Sequence, residues 1–188
     1  MVEVSVIINK ASIIADQVLE RLIEIFQTPI KFPEMIWIIT PLIITMLLME
    51  FYFGRYKDEE LGWNTAFGNS LVLIFVAVDL IRYLYNNDYL FLIDTRNILV
   101  AIVIIEGILF TLLDFYHLIP KNIAYGVSSK SPINFVALIA VIVVYSNLKI
   151  DLITILALLL LVFVIYIGIA ILYLLVFTPQ EEKSKKEK

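Results

Sequence analysis

Asp79 and Arg82 stand three positions apart inside one long apolar stretch, and Glu106, Asp114 and His117 stand inside the next. Glu50 lies near the end of an earlier one. A charge at the centre of a bilayer costs about 2.5–3.5 kcal/mol on the insertion scale. Such groups are therefore expected to face a bundle interior and to find partners. At about 100° per residue, Asn64, Thr65, Gly68, Asp79, Arg82, Tyr83 and Asn86 fall within about 60° of Asp79. They make one polar stripe along the second stretch. On the third, Glu106, Phe110 and His117 fall within about 40° of one another, with Asp114 about 40° further round, which reads as an inward-facing acidic edge.

Depth brings the first three charges together. The two stretches are joined by a short connection and are expected to be antiparallel neighbours. Glu106 is mid-stretch, and Asp79 is displaced by about 5 Å toward one surface. Arg82 lies one turn further out and can snorkel or reach inward. Asp79, Arg82 and Glu106 are thus expected to cluster. Two carboxylates against one guanidinium leave one negative charge over, so one carboxyl should hold a proton or a cation. Glu106 is the candidate, Asp79 the second ion-handling carboxylate and Arg82 their counter-charge. The competing reading is a static polar zipper that only sets helix packing.

Asp114 and His117 are the secondary candidates. At a spacing of three they are neighbours on a helix, able to act as a pH-sensitive relay or as a capping pair. Asn64, Gly68, Asn69 and Ser70 read as close-packing residues, or, with Glu59 and Glu60, as the mouth of a polar site. The chain lacks H-E-x-x-H, G-x-S-x-G, a phosphate-binding glycine loop and a dinucleotide fingerprint. Asp79 and Asp114 would lie about 20 Å apart along the membrane normal, too far for an aspartyl dyad. His117 is the single histidine and there is no cysteine, so no cofactor or metal centre is expected. These absences predict a protein that is not an enzyme.

Five apolar stretches must position these residues: Met35 to Phe53, Asn64 to Tyr85, Asn97 to Ile119, Ser131 to Tyr145 and Leu152 to Phe177. About 20 apolar residues cross a bilayer core, so the fourth is short and the fifth is long enough to tilt or protrude. Pro41 should kink the first and Gly54 should cap it. Ser131-Pro132 reads as a helix start. Residues 11–28 form an amphipathic helix with Asp16, Glu20, Glu24 and Gln27 on its polar stripe, ended by Pro29 and Pro33. Its acidic face favours packing on the bundle or on a partner chain over a free interfacial anchor. Trp37, Tyr52, Trp63, Tyr85 and Tyr89 read as interface anchors.

Composition agrees. Of 188 residues 61% are hydrophobic and 17% charged, whereas soluble domains run about 45–50% apolar. The excess must face lipid. A net charge of −4 excludes a nucleic-acid partner. Glu3 and the missing cleavage pattern argue against a secretory signal, leaving targeting to the first span. Arg55, Lys57, Lys121, Lys130 and the tail lysines outnumber Lys10, Arg21, Lys31, Arg96 and Lys149 on the other side. This predicts a multi-pass cell-membrane protein with its C-terminus cytoplasmic and its N-terminus outside. The expected fold is an all-α polytopic membrane bundle: an N-terminal segment (1–33) with an amphipathic helix, a five-helix transmembrane domain (34–178) and a charged, solvated tail (179–188). Its partners are the lipid bilayer and, since no second half-channel is evident, a homo-oligomer or other membrane subunits. The function expected is a proton- or cation-conducting transporter or channel subunit; the alternative is a non-catalytic structural or assembly subunit.

Overall fold

A computed structural model describes residues 2–56, 62–92, 94–146 and 148–177. The tail (179–188) and the Lys57, Glu59 and Glu60 positions lie outside the described residues. The protein is an all-α bundle with helices α1 (Val2–Lys31), α2 (Ile36–Arg55), α3 (Trp63–Asn86), α4 (Thr95–Phe115), α5 (Lys121–Val127), α6 (Lys130–Ser146) and α7 (Leu152–Phe177). Among the described residues five segments are long and apolar enough to cross a membrane: Pro33–Tyr52, Trp63–Asn86, Thr95–Phe115, Lys121–Ser146 and Leu152–Leu172.

Helix α6 is the axis of the bundle. Ala137, Leu138, Ala140, Val141, Ile142, Val143, Val144 and Tyr145 are all buried, and α1, α2, α3 and α4 all touch it. A helix apolar on every side can be surrounded in this way. Helices α3 and α4 form the most extensive pairing. Gly107 permits it: a Cβ there would stand 3.1 Å from Leu73 Cβ and 3.3 Å from the Ile74 backbone nitrogen. Helix α7, at 26 residues, is about 39 Å long. It exceeds a bilayer core of about 30 Å, as its length in the sequence implied.

Several boundaries differ from the sequence reading. Pro29 lies inside α1, which runs on to Lys31; a proline near a helix end removes one backbone bond without forbidding the last turn. The C-terminal half of α1 packs through Val18, Leu22, Ile25 and Thr28, mainly against α7. Gly54 falls within α2, and the cap is Tyr56, whose N–H donates to the Tyr52 carbonyl at 3.0 Å. The Ser131 hydroxyl donates to Glu50 Oε1 at 2.5 Å rather than capping α6. The short helix α5 was not foreseen.

Helix α4 ends at Phe115, four residues before the expected limit. Its end is a Schellman motif: Leu118 N–H donates to the Leu113 carbonyl at 2.9 Å and His117 N–H to the Asp114 carbonyl at 3.4 Å. His117 occupies the left-handed position of that motif, with φ 53°. Asp88, with φ 60°, closes α3 in the same way, as Tyr89 N–H reaches the Leu84 carbonyl at 2.8 Å. Asp and His tolerate this backbone better than bulky or β-branched residues do.

Candidate functional site

The register of α3 against α4 decides which charges meet. Trp63 stacks on His117 with ring centroids 4.2 Å apart, Phe67 meets Phe115 at 5.8 Å, and Ser70 bonds Asp114. With Gly107 against Leu73 and Ile74, these contacts set the pair antiparallel. Glu106 then lies level with Phe75, about 6 Å along the axis from Asp79. The faces also diverge. Ser70 and Leu73 look toward α4, and Asp79 is turned about 180° from the first and about 120° from the second.

Asp79 consequently serves α6, not α4. Its Oδ1 accepts from Arg82 at 2.5 Å and its Oδ2 accepts the Tyr145 hydroxyl at 2.8 Å. The Asp79 side chain is 15% exposed and that of Arg82 59%, so the guanidinium snorkels while the carboxylate stays in. Tyr83 stacks on Tyr145 at 4.0 Å and donates its hydroxyl to the Tyr145 carbonyl at 3.2 Å. A cavity of about 260 Å³ bounded by Lys31, Glu34, Asn87, Tyr83 and Tyr145 opens beside this group. The sequence reading missed Tyr145 as a partner; its one signal was a tyrosine at the end of the fourth span, which looks the same as an interface anchor.

Glu106 stands outside this cluster. It is half-buried at the edge of the α3-facing side of α4, mid-helix, and its carboxyl makes no hydrogen bond or ion pair among the described residues. The expected three-residue cluster therefore resolves into a closed Asp79–Arg82–Tyr145 group and a separate carboxyl. The polar stripe of α3 is also not inward-facing along its length. Asn64, Gly68, Arg82 and Asn86 are exposed near the helix ends, with Phe75 and Val78 exposed between them. Polar ends flanking an apolar middle are what a lipid-facing helix requires.

Asp114 and His117 do not form a side-chain pair. The helix stops between them, and the exposed His117 ring lies on Trp63. Asp114 is instead buried at 1% exposure, and its Oδ2 accepts the Ser70 hydroxyl at 2.7 Å. Beside it, Asn69 Nδ2 donates to the Ser128 carbonyl at 2.9 Å, tying α3 to the turn between α5 and α6. Of the expected close-packing residues Ser70 is fully buried, whereas a Cβ on Gly68 would meet nothing within 4 Å.

Outside the membrane segments two acids brace the bundle ends. Asp94 receives Nε of Arg96 at 2.6 Å, which holds its carboxyl below the usual range, and Arg96 lies 3.8 Å over the Tyr89 ring. Asp151 accepts the Thr154 N–H at 2.8 Å, which likewise holds it low. It also faces Arg21 of α1 at 3.9 Å. Among the described residues no group of three or more His, Cys, Asp or Glu is arranged to hold a metal ion.

The fold and these buried charges define a polytopic α-helical membrane protein. No protein-family model, curated protein or solved structure matches the chain.

Proposed function

We propose that this protein moves protons or monovalent cations across a membrane, as a small transporter or channel subunit, with Glu106 as the ion-carrying group. The observation that carries this reading is the isolation of Glu106. The Asp79 charge is balanced by Arg82, so the surplus negative charge counted from the sequence falls on a mid-helix carboxyl without a partner among the described residues. In a low-dielectric setting such a group holds a proton or a cation. Its place at the edge of the packed face lets it exchange that ion without breaking a helix contact. Asp79, Arg82 and Tyr145 are positioning residues that lock α3 to α6. In proteoliposomes Glu106→Gln is expected to abolish flux and leave the fold intact.

One feature favours a second, non-catalytic reading. Glu106 borders the exposed face of α4 formed by Ile98, Ile102, Ile105 and Leu109, where a donor from another subunit would complete it. In that case the protein is an assembly subunit, and Glu106→Gln alters complex formation with no flux to lose. In both readings it is not an enzyme. The excess of Lys and Arg on the Arg55 and Lys121 side supports a cell-membrane protein with its C-terminus in the cytoplasm; protease protection of a C-terminal epitope tests that.

A further inference from the structure

The other buried carboxylate has different chemistry around it. Asp114 is 99% enclosed, and its Oδ1 has no hydrogen-bond donor within the described chain. Among the described residues four further side-chain oxygens share this condition, those of Asn97, Thr111, Ser128 and Asn134, and two of them, Thr111 Oγ1 and Ser128 Oγ, belong to residues near Asp114. Their residues lie near one level of the bundle. Thr111 lies on α4 between Gly107, which touches Leu73 and Ile74, and Asp114, which touches Ser70, so it shares the α3-facing side. Ser128 is held against the same level of α3, because its carbonyl accepts from Asn69 while the adjacent Ser70 donates to Asp114.

Buried polar atoms are nearly always satisfied, and each orphan calls for an explanation. Ordinary packing gives none here. A threonine in a helix can turn its hydroxyl to a carbonyl one turn back, and Thr28 does so, at 3.1 Å. Thr111 does not. Three oxygens with no donor or acceptor, one of them on a carboxylate, make a set suited to a positive charge. The set holds no nitrogen or sulfur, which excludes the softer transition metals. A single carboxylate balances one positive charge; a divalent ion would leave a net charge enclosed among apolar residues.

The geometry points to a binding site for a small monovalent cation of the sodium class, held by Asp114, Thr111 and Ser128 where α3, α4 and the α5–α6 turn meet. Ser70 orients the carboxylate through its second oxygen. The site stands apart from Glu106, some 8 residues or about 12 Å further along α4. It requires no flux through the protein.

The test is thermal unfolding of the full chain in nanodiscs, with sodium chloride replaced stepwise by choline chloride at constant ionic strength and potassium chloride as the size comparison. The wild type is expected to gain melting temperature saturably with sodium, less with potassium and not with choline. Asp114→Asn should abolish the response. Because Asp114→Asn also perturbs the buried bond to Ser70 that joins α3 to α4, Ser128→Ala and Thr111→Val, which keep the carboxylate, decide the matter: each should raise the sodium concentration for half-effect by about tenfold or more. An equal response to all three salts, or Ser128→Ala and Thr111→Val titrating like the wild type, overturns the site and leaves a neutral acid in a polar knot. Since no transport is read, failure of the Glu106 reading leaves this result untouched, and the reverse also holds.

Discussion

Tyr145→Phe removes one oxygen atom and keeps the ring, so the stack on Tyr83 at 4.0 Å survives. What goes is the hydroxyl donated to Asp79 Oδ2 at 2.8 Å. A hydrogen bond to a charged group contributes about 1.5–3 kcal/mol in soluble proteins. Double-mutant cycles within membranes average about 0.6 and reach about 1.7 kcal/mol. The Asp79 side chain is only 15% exposed, so the coupling between Tyr145 and Asp79 should fall near the upper membrane figure, at about 1–2 kcal/mol. Arg82 is 59% exposed; despite its short contact, solvent and headgroup screening should hold its coupling to Asp79 below about 1 kcal/mol. The assay is reversible unfolding in bicelles of the wild type, Tyr145→Phe, Asp79→Asn and the double variant, with a parallel cycle through Arg82→Gln. Single effects that add within about 0.3–0.5 kcal/mol, or an Arg82 coupling larger than that of Tyr145, would refute the assignment of Tyr145 as the main holder of the carboxylate.

Two other perturbations follow from the packing and the caps. Gly107→Val places a branched Cβ about 3 Å from Leu73 and the Ile74 backbone. It should lower the melting temperature by the equivalent of about 1–3 kcal/mol; an unchanged melting temperature would show that α3 and α4 do not meet there. Asp151, held below its usual value chiefly by the Thr154 N–H, contributes stability that is present in full above about pH 4 and is lost as the pH falls through its lower folded value. The wild type should therefore lose more melting temperature between pH 6 and pH 3 than Asp151→Ala does, and equal losses would contradict the cap.

The membrane class and the five spans were legible because the apolar runs, the short fourth one apart, are long and bounded by polar residues, Gly or Pro, and α7 shows this most plainly; the fourth was read short because α5, which extends it back to Lys121, carries no such apolar run. The site was only half legible. Helical phase placed Asp79 and Arg82 on one face correctly, because both lie on one helix. It could not say that Asp79 faces α6, since rotation of α3 about its axis is set by Gly107 and Ser70 meeting α4, and those contacts are tertiary. His117 misled for a local reason. An i, i+3 spacing makes neighbours only while the helix continues, and the chain turns through a left-handed residue at His117 itself. Ser128 and Thr111 carry no sequence signal, because a hydroxyl in a span is ordinarily turned back on its own helix.

The most direct test of the central claim is proton and monovalent-cation flux in proteoliposomes, wild type against Glu106→Gln, with the fold of both checked by circular dichroism and size-exclusion profile. Flux is expected in the wild type and should disappear in a folded Glu106→Gln protein. Flux that persists in the variant, or its absence from a folded wild type across protons, sodium and potassium in both gradient directions, would contradict it.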